Sequence, residues 1–259
     1  MTDWIGNTLG KVRIELLLAR GGMAEVYIGT HTTLQRAVAI KLLRNQYLDD
    51  PDLLERFQRE ARVVASLRHP NIVQVFDFDI FNGQPYLVME FVPGVSLSTY
   101  LRALHERNQY LELPQVSQLL TKTADALQYA HESGVIHRDV KPGNILLTSR
   151  TSPIDKNLPL PADVEPILSD FGLVRYLTSP SQTATGQIAG TPAYMSPEQA
   201  EMSGLDVDTR SDIYSLGVLL YELLTGKTPF DPQKLVQGGR SNCRFYRSFG
   251  HSTSRQSSL

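Results

Sequence analysis

Between residues 12 and 91 apolar and polar side chains alternate in short runs, and beyond Pro93-Gly94 the period lengthens to that of helices. Runs at 12–19 and 26–31 flank a glycine turn, and a third at 36–42 contains Ala39-Ile40-Lys41. Such runs read as strands. Over 51–67 a stripe of Leu53, Leu54, Phe57, Ala61, Val64 and Leu67 has the spacing of a helix with one buried face. Two more runs, 73–79 and 85–91, are joined through Asn82-Gly83, a pair suited to a tight hairpin. This predicts a five-stranded antiparallel sheet with one helix. Helices follow at 96–104, 114–133 and 211–225, the last apolar on nearly every side and so suited to the middle of a lobe. The expected fold class is α+β: a small β lobe hinged onto a larger, mainly helical lobe.

Two segments break the plan. Residues 148–166 are rich in Pro, Ser, Thr and Asp and are expected to form a surface insertion that packs no core. Residues 233–259 hold five basic residues, no acidic ones and six serines, without apolar periodicity. Residues 1–232 carry 20 Lys+Arg against 27 Asp+Glu, so the tail differs in kind from the body. The expected division is therefore 9–92, 93–232 and a disordered tail at 233–259.

Composition narrows the class. At 259 residues and 41% hydrophobic, the chain has material for one large domain or two lobes around a cleft. A net charge of −2 gives no reason to expect nucleic acid. The single cysteine, Cys243, fits a reducing compartment. With no secretory leader and no window apolar enough to span a bilayer, the expectation is a cytoplasmic protein without a membrane segment.

The chemistry concentrates in His137-Arg138-Asp139-Val140-Lys141-Pro142-Gly143-Asn144 and Ser169-Asp170-Phe171-Gly172. Two aspartates, a lysine and an asparagine in this order suit in-line phosphoryl transfer from a metal-bound nucleotide. Upstream, Lys41 ends an apolar strand. Glu60 sits among Phe57, Ala61 and Val64, where a carboxylate facing the protein needs a cation, and Lys41 is the expected one. Ala19-Arg20-Gly21-Gly22-Met23-Ala24 lies between the first two strands.

These residues resemble the protein kinase superfamily, and within it the bacterial serine/threonine branch, over about 9–232. The resemblance implies ATP and Mg²⁺, with Mn²⁺ as an alternative ion, and protein substrates carrying Ser or Thr acceptors. It implies Asp139 as base and Lys141, Lys41 and Glu60 as its catalytic company, with Asn144 and Asp170 on the metal. Ala19, Gly21, Gly22 and Met23 would cover the phosphates. Val26, Ala39 and Leu146 would sandwich the adenine, with Met89 behind it and Glu90 and Val92 at the hinge. Ala19 stands where the family usually has glycine, a misfit only if its φ is positive. His137 and Phe171 would stack, Asp212 would anchor the catalytic loop, and Arg138 would answer to a phosphorylated segment, with Thr183 and Thr185 as preferred acceptors. Gly190 to Glu198, including Thr191, matches serine/threonine rather than tyrosine kinases. Relatives often pair back to back, so a homodimer is an expectation carried by resemblance alone. The resemblance also implies further helices over 211–225 and an arginine for Glu198, neither of which the tail supplies. The expectation is a lobe lacking its last helices, which leaves an inactive truncated kinase or ATP-binding scaffold as the alternative function.

Overall fold

The computed structural model describes residues 4–21, 24–43, 51–171, 192–200 and 207–230; at 51–54, 56, 57 and 60 it describes the backbone only. The expectations for 233–259, for Gly22 and Met23, for Thr183 and Thr185, and for Thr191 fall outside these residues.

The β lobe is one antiparallel sheet, built from β1 (Thr8–Leu9), β2 (Val12–Arg20), β3 (Ala24–His31), β4 (Arg36–Leu43), β5 (Val75–Phe81) and β6 (Gln84–Glu90). Its order is β1-β2-β3-β4-β6-β5. The sequence suggested five strands; the sixth is the two-residue β1, too short to show an alternation. Asn82 and Gly83 both take positive φ, 50° and 78°, which closes the β5–β6 hairpin as the pair predicted. Leu9, Ile14, Tyr27, Val38 and Ile40 form the core of one face of the sheet. Helix α1 (Pro51–Ser66) carries buried Ala61 and Val64 into a larger core that continues into the second lobe.

That lobe is built on α2 (Leu97–Glu106), α3 (Leu113–Glu132), the short α4 (Pro197–Ala200) and α5 (Thr209–Thr225). The helices start where side chains satisfy their orphan N–H groups. Ser96 Oγ accepts from Thr99 N at 3.2 Å, and Asp208 Oδ1 accepts from Arg210 N at 2.9 Å. Gly226, at φ 73°, ends α5 in the left-handed conformation that favours glycine. A second sheet is built from β7 (Val95–Ser96), β8 (Ile145–Thr148) and β9 (Glu165–Leu168), and a bridge from Leu168 to Ile72 ties it to the segment before β5. Helix α5 keeps Asp212, Val218, Leu219 and Leu223 inside, while Ile213, Tyr221 and Leu224 stay 57%, 47% and 51% exposed.

The insertion corrects the sequence reading. Ile154, Leu160 and Val164 are buried in the main core with Tyr100 and Leu104. A single carboxylate, Asp163, closes its neck by accepting from Ser149 Oγ (2.8 Å), Arg150 N (3.0 Å), Thr151 N (3.1 Å) and Thr151 Oγ1 (2.8 Å). Three apolar residues spaced 4 to 6 apart have no helical or strand period, so pattern reading missed a packed loop.

Candidate active site

Lys41 emerges from β4 with Val26 and Leu87 as its register partners, so it is walled in by strands on both sides and only 7% exposed. A buried ammonium needs an anion. The described partner is Asp170, with Nζ 2.9 Å from Oδ1. The sequence reading had paired Lys41 with Glu60, whose side chain is not among the described ones. Burial works to raise the Asp170 pKa, but the Lys41 ammonium outweighs it and the carboxyl is held below its usual range. Asp170 is therefore an ionised carboxylate at neutral pH.

Residues 137–144 are fixed from beneath. Asp212, fully buried on α5, accepts from His137 N (2.8 Å) and Arg138 N (2.7 Å) and lies 2.7 Å from His131 Nε2. His137 is 0% exposed, and its ring centroid is 4.6 Å from that of Phe171, the contact the resemblance implied. Burial lowers the His137 pKa against the pull of Asp212, which keeps the ring neutral. Its Nδ1 accepts from Asp139 N at 3.2 Å, so the proton sits on Nε2 and is donated to Ser169 O at 2.9 Å. One imidazole thus ties the loop bearing Asp139 to the turn bearing Asp170.

The Asp139 carboxylate is oriented twice through the same oxygen. Lys141 Nζ lies 2.7 Å from Oδ2, and Asn144 Nδ2 donates to Oδ2 at 2.9 Å and to the Asp139 carbonyl at 2.8 Å. Oδ1 of Asp139 makes neither of these bonds. With Asn144 Nδ2 engaged, its amide oxygen faces away from Asp139. Asn144 and Asp170 flank the paired ends of β8 and β9, where Ile145 stands opposite Leu168. An amide oxygen and an ionised carboxylate suit a hard divalent cation. Among the described residues no group of three or more His, Cys, Asp and Glu side chains forms a metal cage. A cation here would complete its shell with phosphate and water.

The expected adenine-facing residues converge in part. Buried Ala39 and Met89, opposite each other across β4 and β6, share a cluster with Val73 and Ile167, and Val92 and Leu146 pack against it. Glu90 N donates to Gln74 O at 2.8 Å, so that N–H is already used. Val26 is half-buried on β3 opposite Ala19. Ala19 is a strand residue outside the positive-φ set, so alanine carries no misfit there. Gly21 N donates to Ala24 O at 2.8 Å, narrowing the turn between β2 and β3.

A groove that the sequence reading missed opens beside Lys141. It runs between α2, contributing Arg102 and His105, and the end of α5, contributing Glu222. Tyr194 Oη donates to Glu222 Oε2. Burial raises the pKa of both groups. The available signal was a carboxylate inside the apolar run Leu219-Leu220-Tyr221-Glu222-Leu223. Glu198, which the resemblance pairs with an arginine, accepts from Ser211 Oγ among the described residues.

A β lobe and a helical lobe meeting over a lysine–aspartate pair, with an oriented aspartate beneath, define a two-lobed phosphotransferase-like domain. The description "protein kinase domain" matches residues 13–256, and the chain belongs to that family. The match runs into the segment set apart above as a tail. The chain is 40% identical over 236 residues to the serine/threonine-protein kinase PknA of Mycobacterium tuberculosis, covering 89% of this chain and 50% of that protein. It is 38% identical over 227 residues to PrkC of Bacillus subtilis, covering 88% of this chain and 32% of that protein. The chain thus spans a third to a half of the length of these relatives. The PknI kinase domain of M. tuberculosis is similar in fold, with TM-score 0.68 and 30% identity over 95% of this chain and 87% of that one. Use of ATP and a divalent metal is general in this family. Among the described residues no helix is long and apolar enough to cross a membrane.

Proposed function

We propose that this chain transfers the γ-phosphoryl group of ATP to Ser or Thr hydroxyls of proteins, its own activation segment included. The observation that carries this reading is the Asp139 carboxylate, held by Lys141 and Asn144 within one loop that His137 ties to Asp170. Mg·ATP, when bound, supplies the transferable phosphoryl group and the cation that neutralises its charge. Asn144 and Asp170 would hold that cation; their oxygen donors favour Mg²⁺, with Mn²⁺ as the alternative. Asp139 would orient the acceptor hydroxyl and take its proton. Lys41 would hold phosphate oxygens, and Lys141 would offset charge at the transferred group. Ala39, Met89, Val92 and Leu146 offer an apolar seat for the base, with Glu60, Gly22 and Met23 assigned their roles by resemblance alone. We place the domain in the cytoplasm, where ATP is available; a homodimer rests on resemblance only.

The second reading, an ATP-binding scaffold that transfers nothing, is favoured by one observation: the face of α5 carrying Ile213, Tyr221 and Leu224 is exposed among the described residues. Intact mass of the chain made in a bacterial host, beside Asp139→Asn, separates the two. Phosphate-sized increments confined to the parent support transfer. Nucleotide binding without increments in either chain supports the scaffold.

A further inference from the structure

Helix α2 is gripped on one side by the insertion and presents its other side to the groove. At about 100° per residue, Arg102 and His105 fall on a face about 160° from the one that carries Tyr100, Leu104 and Arg107. The first face lines the groove beside Lys141. The second meets the insertion. Tyr100 Oη donates to Leu158 O at 2.9 Å, and Arg107 Nη2 donates to Lys156 O at 3.1 Å, with Nη1 3.4 Å from Asn157 Oδ1. Tyr100 is 1% exposed and shares its core with Ile154, Leu160 and Val164. The far side of the insertion is fixed to α3, where Gln118 Nε2 donates to Val164 O at 2.9 Å and to Ala162 O at 3.3 Å.

From this arrangement we infer that residues 149–164 are a positioning element for the acceptor protein. The insertion sets the spacing of α2 from α3, and through it the distance of Arg102 and His105 from Lys141 and Glu222. The inference rests on the kinase reading above and adds that Tyr100 and Arg107 tune acceptor binding without touching acceptor or nucleotide. Leu146 of the nucleotide seat lies on β8, the strand that leads into the insertion, so the KM for ATP is the control for an effect carried along β8 rather than through α2.

The test is Tyr100→Phe and Arg107→Ala in the full chain, with dephosphorylated casein as acceptor and assays well below the melting temperature. Tyr100→Phe keeps the ring in the core and removes only the hydroxyl, so folding is preserved. Each variant should raise KM for casein several-fold while changing KM for ATP less. The ring-proton resonances of His105, whose centroid is 5.7 Å from that of Tyr110, should shift in both variants. Arg107→Lys, which keeps one donor, should recover part of the effect. A lower melting temperature with unchanged casein KM would overturn the inference, as would unmoved His105 resonances. A parent chain that binds nucleotide but phosphorylates nothing would instead overturn the kinase reading, and the His105 shift would then still support the seating of α2.

Discussion

Replacing Asp212 by Ala should cost more than any other single change in the helical lobe outside the nucleotide site. The carboxylate is 0% exposed and serves three donors: the N–H groups of His137 and Arg138 and the imidazole of His131. Each buried donor left unpaired costs about 1–3 kcal/mol, so three together lose about 4 kcal/mol after partial relaxation. A second contribution works the other way. Arg138 is held at φ 65°, a left-handed conformation that costs a non-glycine residue about 1 kcal/mol, and that strain is released once its N–H is freed. The net loss of about 3 kcal/mol corresponds to a fall in melting temperature of about 10 °C for a chain of this size. Urea unfolding read by far-UV circular dichroism and by the fluorescence of Trp4, which packs on the β-lobe core, measures it and tests whether both lobes unfold together. Asp212→Asn should recover only part of the loss, because its amide NH₂ faces a donor where a carboxylate oxygen stood. In an Arg138→Gly background the loss on Asp212→Ala should grow by about 1 kcal/mol, since glycine has no strain to release. A loss below about 1 kcal/mol for Asp212→Ala would refute the view that this carboxylate carries the loop.

Three further outcomes are expected. Gly94→Ala puts a Cβ 1.9 Å from Leu147 O at a φ of 154°, so the chain after the hinge must move; a stability loss of about 2–4 kcal/mol and weaker binding of an ATP analogue should follow, and unchanged melting would refute the contact. Asp163 has its pKa lowered from 3.8 to about 2 by hydrogen bonds from Ser149 and Thr151. A depressed folded pKa means stabilisation present above about 4 and lost as pH falls toward about 2; hydrogen exchange at Arg150 and Thr151 should accelerate across that window, and Asp163→Asn should abolish the pH dependence. Lys41→Met removes the cation that holds the Asp170 carboxyl low, so acid should cost the variant less stability than the parent as pH falls through the Asp170 pKa. Its affinity for an ATP analogue should drop about tenfold, the equivalent of one charge-assisted bond, and an undiminished affinity measured by calorimetry would remove Lys41 from the phosphate site.

Much of this was readable from the chain because the elements that carry it have strong periods or fixed spacings. The β4 strand around Lys41, the hairpin at Asn82-Gly83 and the run from His137 to Asn144 each announce themselves locally. What the sequence withheld depends on contacts across long separations. The pairing of Lys41 with Asp170 spans 129 positions, and no pattern near Lys41 announces it. The insertion misled for a different reason. Its Pro, Ser and Asp content describes its backbone turns, whereas its packing depends on Ile154, Leu160 and Val164 finding Tyr100, a contact without periodicity. The groove was hidden because α2 and α5 are far apart in the chain and only Glu222, a lone carboxylate in an apolar helix, pointed to it.

Among the described residues, two non-glycine residues at the site have left-handed backbone: Arg138 (φ 65°), next to Asp139, and Asp170 (φ 60°) itself. Neither conformation is favourable by itself, and each persists because distant elements hold it. Arg138 is held by Asp212 from α5, and Asp170 by Lys41 from the opposite lobe. His137 joins the two by accepting from Asp139 N and donating to Ser169 O. Local chain preference therefore works against this geometry, and only the assembled lobes supply the bonds that offset it. Lys141 and Asn144 orient Asp139 locally, whereas Asp212 holds the loop they belong to and Lys41 holds the Asp170 carboxyl low, so a change at α5 reaches the site without touching it.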